Sequence, residues 1–214
     1  MADCYIAGAA PEAQRIHPRP EDFLIAVDGG MDHLARWGLR PDLLVGDLDS
    51  LVEASPGVPC KKFPREKDAT DLSLALDEAF LRARKNIIIT GAWGGRPDHA
   101  VGNLQLLAKA ARAGAFVRML CGDFTATALA GGGMLRLRGS GTVSVFAYGG
   151  PARGVTVHGL KYPLKNATLQ DDTPLGVSNV LDGNAPANGG VGTITLEHGT
   201  LLVFYEEEIE CVIE

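Results

Sequence analysis

The chain has 214 residues, 46% of them hydrophobic and 21% charged, and a formal net charge of −6. That length allows one domain or two modest ones, and the composition is that of a globular protein. No apolar run approaches the roughly 18 residues of a membrane span, MADCYIAGAAPEAQR lacks the basic start and apolar stretch of a signal peptide, and no block of Lys or Arg offers a nucleic-acid surface. The expectation is therefore a cytoplasmic protein without membrane or nucleic-acid partners. Cys4, Cys60, Cys121 and Cys211 form no C-x-x-C pair, so they read as reduced, mostly buried thiols. An acidic protein that handles phosphates needs a divalent cation to offset its own carboxylates.

In chain order, CYIAGA (4–9), FLIAV (23–27), DLLVG (42–46), KKF (61–63), NIIIT (86–90) and FVRML (116–120) are strand candidates. They lack strict polar/apolar alternation, as parallel strands covered on both faces do. Between them, MDHLARWG (31–38), DLSLALDEAFLRAR (71–84) and DHAVGNLQLLAKAARAG (98–114) read as helices. In the second of these, Leu72, Ala75, Leu76, Ala79, Phe80 and Ala83 share one face. Gly38 and Gly114 stand where helices stop. The alternation predicts an α/β N-terminal domain, residues 1–130, built on a doubly wound parallel sheet. After that, GGGMLRLRGSGTVSVFAYGG, RGVTVHGL, ATLQ and GTITLEHGTLLVFYEEE are short alternating stretches split by Gly, Asn and Pro. They predict an all-β sandwich for residues 131–214.

Acidic residues recur at the ends of the predicted strands: Asp28 in AVDGG, Asp47 and Asp49 in VGDLDS, Asp68 and Asp71 in KDATD, and Asp98 in GGRPDH. Open α/β sheets bind ligands beyond their strand C-termini, so these motifs should converge on one rim. Singly, each is an ordinary turn or cap residue: Asp68 and Asp71 make a capping pair, and Asp98 suits a helix N-terminus. Asp47 and Asp49, however, precede a loop with no clear helix to cap. In extended chain, residues two apart point the same way about 7 Å apart. Their carboxylates can close on one hard cation or bracket two, and Mg²⁺ fits best. Gly29, Gly30, Gly94 and Gly95 permit close backbone approach to a phosphate, with helix N-termini following. Lys67 and Arg96 sit in the same turns and are candidates to hold phosphate oxygens. Neither glycine loop matches the P-loop or the dinucleotide fingerprint. His17, His33 and His198 read as surface residues, His99 as structural, Trp37 and Phe80 as core, and Trp93, in the second glycine loop, as a flank of the bound ligand.

The ordered set DGG, PDLLVGDLDS, KDATDLSLAL, GGRPDH, GL-x-YPL and GVSN resembles the thiamine pyrophosphokinase family, from Asp28 to Asn179. The resemblance implies an α/β ATP-binding domain followed by a β-sandwich, a homodimer, Mg²⁺, and transfer of a diphosphoryl group from ATP to the thiamine hydroxyl with release of AMP. By the same resemblance Asp47, Asp49, Asp68 and Asp71 lie around metal and phosphates, Asp28 and Asp98 at further positions of the site, and Ser178 and Asn179 near thiamine. Parts of the family carry an aromatic residue a few positions beyond the S-N pair. Here VLDGNAPANGGVG has none, which leaves either Tyr162 or another apolar residue to meet the substrate ring, or a different choice of substrate. Asp71 or Asp98 is the expected acceptor of the hydroxyl proton. The rival readings are a diphosphokinase on the same scaffold acting on another alcohol, such as a pterin methanol, and a non-catalytic nucleotide-binding module.

Overall fold

The computed structural model describes residues 2–46, 57–63, 68–183 and 190–214. They form two compact units, Met1–Leu106 with Val117–Gly122, and Leu107–Phe116 with Asp123–Glu214.

The first unit holds β1 (Cys4–Ala7), β2 (Phe23–Val27), α1 (Gly30–Trp37), β3 (Leu43–Gly46), β4 (Cys60–Lys62), α2 (Asp71–Leu81), β5 (Asn86–Thr90), the start of α3 (Pro97–Arg112) and most of β6 (Phe116–Cys121). Its strand order is β6-β5-β1-β2-β3-β4. The β1–β2, β1–β5, β2–β3 and β3–β4 pairs are parallel. Ile6 sits opposite Ile25 on one side and Ile89 on the other, all nearly solvent-free. This is why the strands read as continuous apolar runs. Leu34 of α1 joins Ala7, Leu24, Ala26 and Leu44 in a cluster against which Trp37 packs.

Each helix ends in a left-handed turn that closes it with paired backbone bonds. After α1, Gly38 N–H donates to Ala35 and Leu39 N–H to Leu34, the Schellman arrangement. α3 ends the same way at Gly114. α2 was expected to continue to Arg84 but stops at Leu81. Ala83 takes the left-handed position at φ 55°, with Ala83 N–H donating to Phe80 and Arg84 N–H to Ala79. No glycine marks that stop, so periodicity alone ran past it.

The second unit holds the end of α3 and then β7 (Phe124–Ala130), β8 (Met134–Arg138), β9 (Gly141–Ala147), β10 (Ala152–His158), β11 (Leu164–Leu169), β12 (Gly176–Leu181), β13 (Val191–Thr195), β14 (Thr200–Glu206) and β15 (Glu210–Ile213). Among the described residues no helix follows α3. The strands run β12-β9-β14-β7 and β11-β10-β13-β8-β15, and every paired neighbour is antiparallel. Alternate residues of both sets, including Val143, Val145, Leu201 and Val203 with Leu135, Leu137, Val155 and Ile194, share one buried cluster. That is the alternation expected of antiparallel strands with one face inward. β7, FTATALA, had not been singled out as a strand, because its small residues give a weak pattern.

In hydrogen-bonding terms the pairs within the first unit are thus parallel, and those within the second are antiparallel in both of its strand sets. All four cysteines are free, and Cys4, Cys121 and Cys211 are buried. Among the described residues no helix is long and apolar enough to cross a membrane.

Candidate functional site

Parallel strands deliver their carboxyl ends to one edge, and there the first unit opens a cavity of about 440 Å³. Two loops form its walls, one running from Gly8 to Pro11 after β1 and one carrying Gly91, Ala92, Gly94 and Gly95 after β5. They are stitched together by backbone: Gly8 N–H donates to Thr90 at 2.8 Å and Ala10 N–H to Gly91 at 2.9 Å. Gly91 has φ 63°, and a Cβ there would lie 2.2 Å from the Gly8 carbonyl oxygen. Both the turn and the close approach therefore demand glycine.

Asp28, after β2, borders the cavity in the left-handed region at φ 45°, a conformation Asp tolerates better than most residues. Its N–H donates to Val45, and its carbonyl accepts from Met31 N–H. A Cβ on Gly46 would lie 1.9 Å from Asp28 Oδ1, so the carboxylate packs directly on the backbone at the end of β3. Gly29 is the N-cap of α1 and Gly30 its first residue. A Cβ on Gly30 would lie 1.9 Å from the Ala7 carbonyl oxygen. These two glycines seat α1 on β1 and do not border the cavity, whereas Gly94 and Gly95 do.

Asp71 opens α2 and borders the cavity with Thr70 and Leu72. The cap of this helix is Thr70, whose Oγ1 accepts from Ser73 N–H at 3.2 Å; the expected Asp68–Asp71 capping pair does not form. Asp68 is exposed and lies outside the lining. Arg96 borders the cavity, but it grips Asp98 through Nε–Oδ1 at 3.1 Å and Nη2–Oδ2 at 2.5 Å. Both side chains are mostly exposed. The Arg96 hydrogen bonds, helped by the His99 N–H, bring the Asp98 pKa down to about 2. Asp98 itself is not part of the lining.

Asp47, Asp49 and Lys67 lie outside the described residues. Among the described residues no group of three or more His, Cys, Asp or Glu could hold a metal. Asp28 and Asp71 nevertheless supply the hard oxygen donors that suit Mg²⁺ at the edge of the cavity.

Among the other polar residues, Asn103 escaped the sequence reading, His99 was read only as structural and His33 was placed on the surface. Asn103 borders the cavity, is 8% exposed, and donates from Nδ2 to the Ala92 carbonyl at 2.7 Å, which fixes the second wall. His99 borders the cavity one turn earlier on α3. The i, i+4 spacing of the two was available in DHAVGN. His33, expected on the surface, is instead buried at 6% exposure and stacks on Trp37. The H-x-x-x-W spacing within one helix was its signal.

In the second unit, Ser178 stands at φ 57° in a bulge of β12, exposed, with its N–H donating to Ser144 Oγ at 3.0 Å. Asn179 is buried and committed. Its Oδ1 accepts from the N–H groups of Tyr162 and Val180 at 2.9 Å each, and its Nδ2 donates to the Tyr162 carbonyl at 2.7 Å. The amide therefore acts as one more rung holding the Tyr162 turn. Tyr162 is 58% exposed, with Lys161 Nζ 5.4 Å from its ring centroid.

Comparison with known proteins agrees with this picture over both units. Residues 19–124 match the family model described as thiamin pyrophosphokinase, catalytic domain, and residues 135–200 the model described as thiamin pyrophosphokinase, vitamin B1 binding domain. A thiamine pyrophosphokinase of Bacillus subtilis (strain 168) is 32% identical over 167 residues, 73% of this chain and 77% of that one. The solved thiamine pyrophosphokinase of Bacillus subtilis superposes with a TM-score of 0.84 at 26% identity, covering 96% of this chain and 99% of that one. The thiamin pyrophosphokinase of Geobacillus thermodenitrificans gives 0.82 at 28% identity, covering 95% and 97%.

Proposed function

The chain belongs to the thiamin pyrophosphokinase family, transferases that use ATP, and from that premise we propose that it transfers the diphosphoryl group of ATP to the hydroxyl of thiamine, giving thiamine diphosphate and AMP. One observation carries the reading most directly. At the carboxyl edge of a parallel sheet, two walls of Gly and Ala backbone enclose a cavity edged by Asp28 and Asp71, as a nucleotide with its charged phosphates requires. We take residues 1–130 as the catalytic domain, a doubly wound sheet, and residues 131–214 as a β-sandwich that binds thiamine and pairs two copies. A cytoplasmic location completes the reading.

Diphosphoryl transfer asks for positioning and charge neutralisation more than for covalent help. The thiamine hydroxyl oxygen forms a bond to the β-phosphorus, the bond to the α–β bridging oxygen breaks, and AMP leaves with that electron pair. Asp28 and Asp71 would hold Mg²⁺, and the motif resemblance assigns Asp47, Asp49 and Asp68 to the same role. When bound, the ion neutralises charge on the phosphates. The glycine walls let backbone approach the nucleotide. Asp71 is the better candidate to take the hydroxyl proton: it borders the cavity, whereas Asp98 lies outside the lining and is tied up by Arg96, which lowers its pKa to about 2 and makes it a weaker base. Ser178 and the Tyr162 turn that Asn179 holds are the proposed thiamine contacts.

The test is AMP release from Mg-ATP by the purified protein, with thiamine, with a pterin methanol, and with no acceptor. Thiamine-dependent AMP with matching thiamine diphosphate is the expected result. Faster turnover of the pterin alcohol would favour the other diphosphokinase, and nucleotide binding without AMP would leave a binding module.

A further inference from the structure

We infer that His33 is a positioning residue for the nucleotide, fixing the Gly8-to-Pro11 wall of the cavity through the carbonyl of Ala10; this rests on reading that cavity as the ATP site. The ring lies inside the first unit at 6% exposure, and both nitrogens are engaged. Nδ1 is 2.6 Å from Arg36 Nη2. A guanidinium only donates, so Nδ1 must accept, and the proton of the neutral imidazole is forced onto Nε2. Nε2 is 2.9 Å from the Ala10 carbonyl oxygen, which only accepts. The two partners thus select one tautomer between them. The face of the ring stacks on Trp37 with centroids 5.8 Å apart and planes 23° apart. Arg36 is itself anchored by its Nε bond to the Asp32 carbonyl.

Ala10 is held from two directions. Its N–H donates to Gly91 in the opposite wall and its carbonyl accepts from His33 on α1. The same helix starts two residues after Asp28, which edges the same cavity. His33 therefore couples the wall to the helix that follows the carboxylate, and it does so without bordering the cavity. A histidine serving only the core would need no bond to a ligand-binding loop. Removing this donor frees the Ala10 carbonyl and lets the wall relax away from the nucleotide, while the thiamine contacts proposed in the second unit are untouched.

The experiment compares the parent with His33→Ala, His33→Gln and Arg36→Leu, measuring ATP affinity by calorimetry, KM for each substrate, and Tm. Gln places an amide N–H near the position of Nε2, so it restores the donor to Ala10 without a ring. Expected is a loss of ATP affinity of about tenfold in His33→Ala, the scale of one buried hydrogen bond, with KM for thiamine little changed. His33→Gln should recover most of that loss, and Arg36→Leu should lose about threefold because the tautomer is no longer fixed. Where His33→Ala fails to fold, the Gln and Arg36 variants decide: ATP affinity unchanged in Arg36→Leu, or as weak in Gln as in a non-donor such as His33→Leu, overturns the inference. Equal ATP affinity in His33→Ala and the parent also overturns it, as does a parallel rise of both KM values with lowered Tm that Gln does not rescue. A parent that binds no ATP would instead defeat the ATP-site reading, and this inference with it.

Discussion

At the scale of single residues, the Arg96–Asp98 pair shows how a structure divides labour among carboxylates that look alike in sequence. Both were read as site residues, Arg96 for phosphate and Asp98 for the reacting hydroxyl. They grip each other bidentately in solvent. In Arg96→Gln the Asp98 carboxyl should titrate upward from about 2 towards the ordinary aspartate range near about 3.9, as followed by NMR; an unchanged titration would mean the pair does not persist in solution. The same geometry predicts that Asp71→Asn lowers kcat by about 10² or more while Asp98→Asn changes it by much less. The reverse order would return the proton-acceptor role to Asp98. Asp28, Asp71, Gly94, Gly95 and Arg96 were legible because strand-end turns in a parallel sheet share one edge. Thr70, His33 and Asn103 were not. Each is a lone polar residue whose task depends on which loop the fold lays against it, and periodicity carries no record of that.

Elements are tied together by polar groups that the apolar pattern does not show. Glu78 falls on the buried face of α2, where its carboxylate meets Lys61 of β4 at 2.5 Å and Arg82 at 2.6 Å. Burial pushes its pKa up, but the hydrogen bonds from Lys61 and Arg82 outweigh that and hold the group below the usual 4.5. Lys61 and Arg82 are 46% and 34% exposed, which screens the interaction, so Glu78→Gln should cost about 1–2 kcal/mol at neutral pH. Because the folded pKa is depressed, this stabilisation is full above the unfolded glutamate pKa and fades as pH falls through the folded value. The parent and the variant should therefore differ in Tm at pH 7 and converge as the pH is taken below the usual glutamate range; a constant gap would assign the effect to packing. In the second unit, Asn179 locks β12 to the Tyr162 turn. Asn179→Ala should raise the apparent KM for thiamine and leave that for ATP nearly unchanged, with circular dichroism to verify folding. Equal weakening for both substrates would reduce Asn179 to a structural rung. GVSN stands out in the sequence as a candidate site motif, but that the Asn179 amide bonds backbone does not, since the bulge at Ser178 leaves no mark in a four-residue string.

For the whole molecule, the change from continuous apolar runs to alternating ones was visible in the sequence, and it reflects the two ways a sheet can be covered. What no period reveals is which sheet edges stay open. The second unit has β12 at one end of its first strand set and β15 at one end of the other. β15 exposes Val212 and Ile213 but is guarded by charge: Arg136 pairs with Glu214, and Arg138 and Glu210 face each other across the ladder. Charged edges of this kind resist pairing. On β12 and beside it, Tyr162, Leu175 and Val177 are 58%, 67% and 46% exposed. Apolar side chains left open along an unguarded edge strand offer a place for another surface to dock. A domain of about 80 residues also has a thin core of its own, so a second copy of the chain is the simplest occupant. Sedimentation at micromolar concentration should then give twice the 22.5 kDa chain mass, and Val177→Asp should shift it to the monomer while the first unit still binds ATP. A monomeric parent would sink the pairing and leave the Tyr162 edge to thiamine alone.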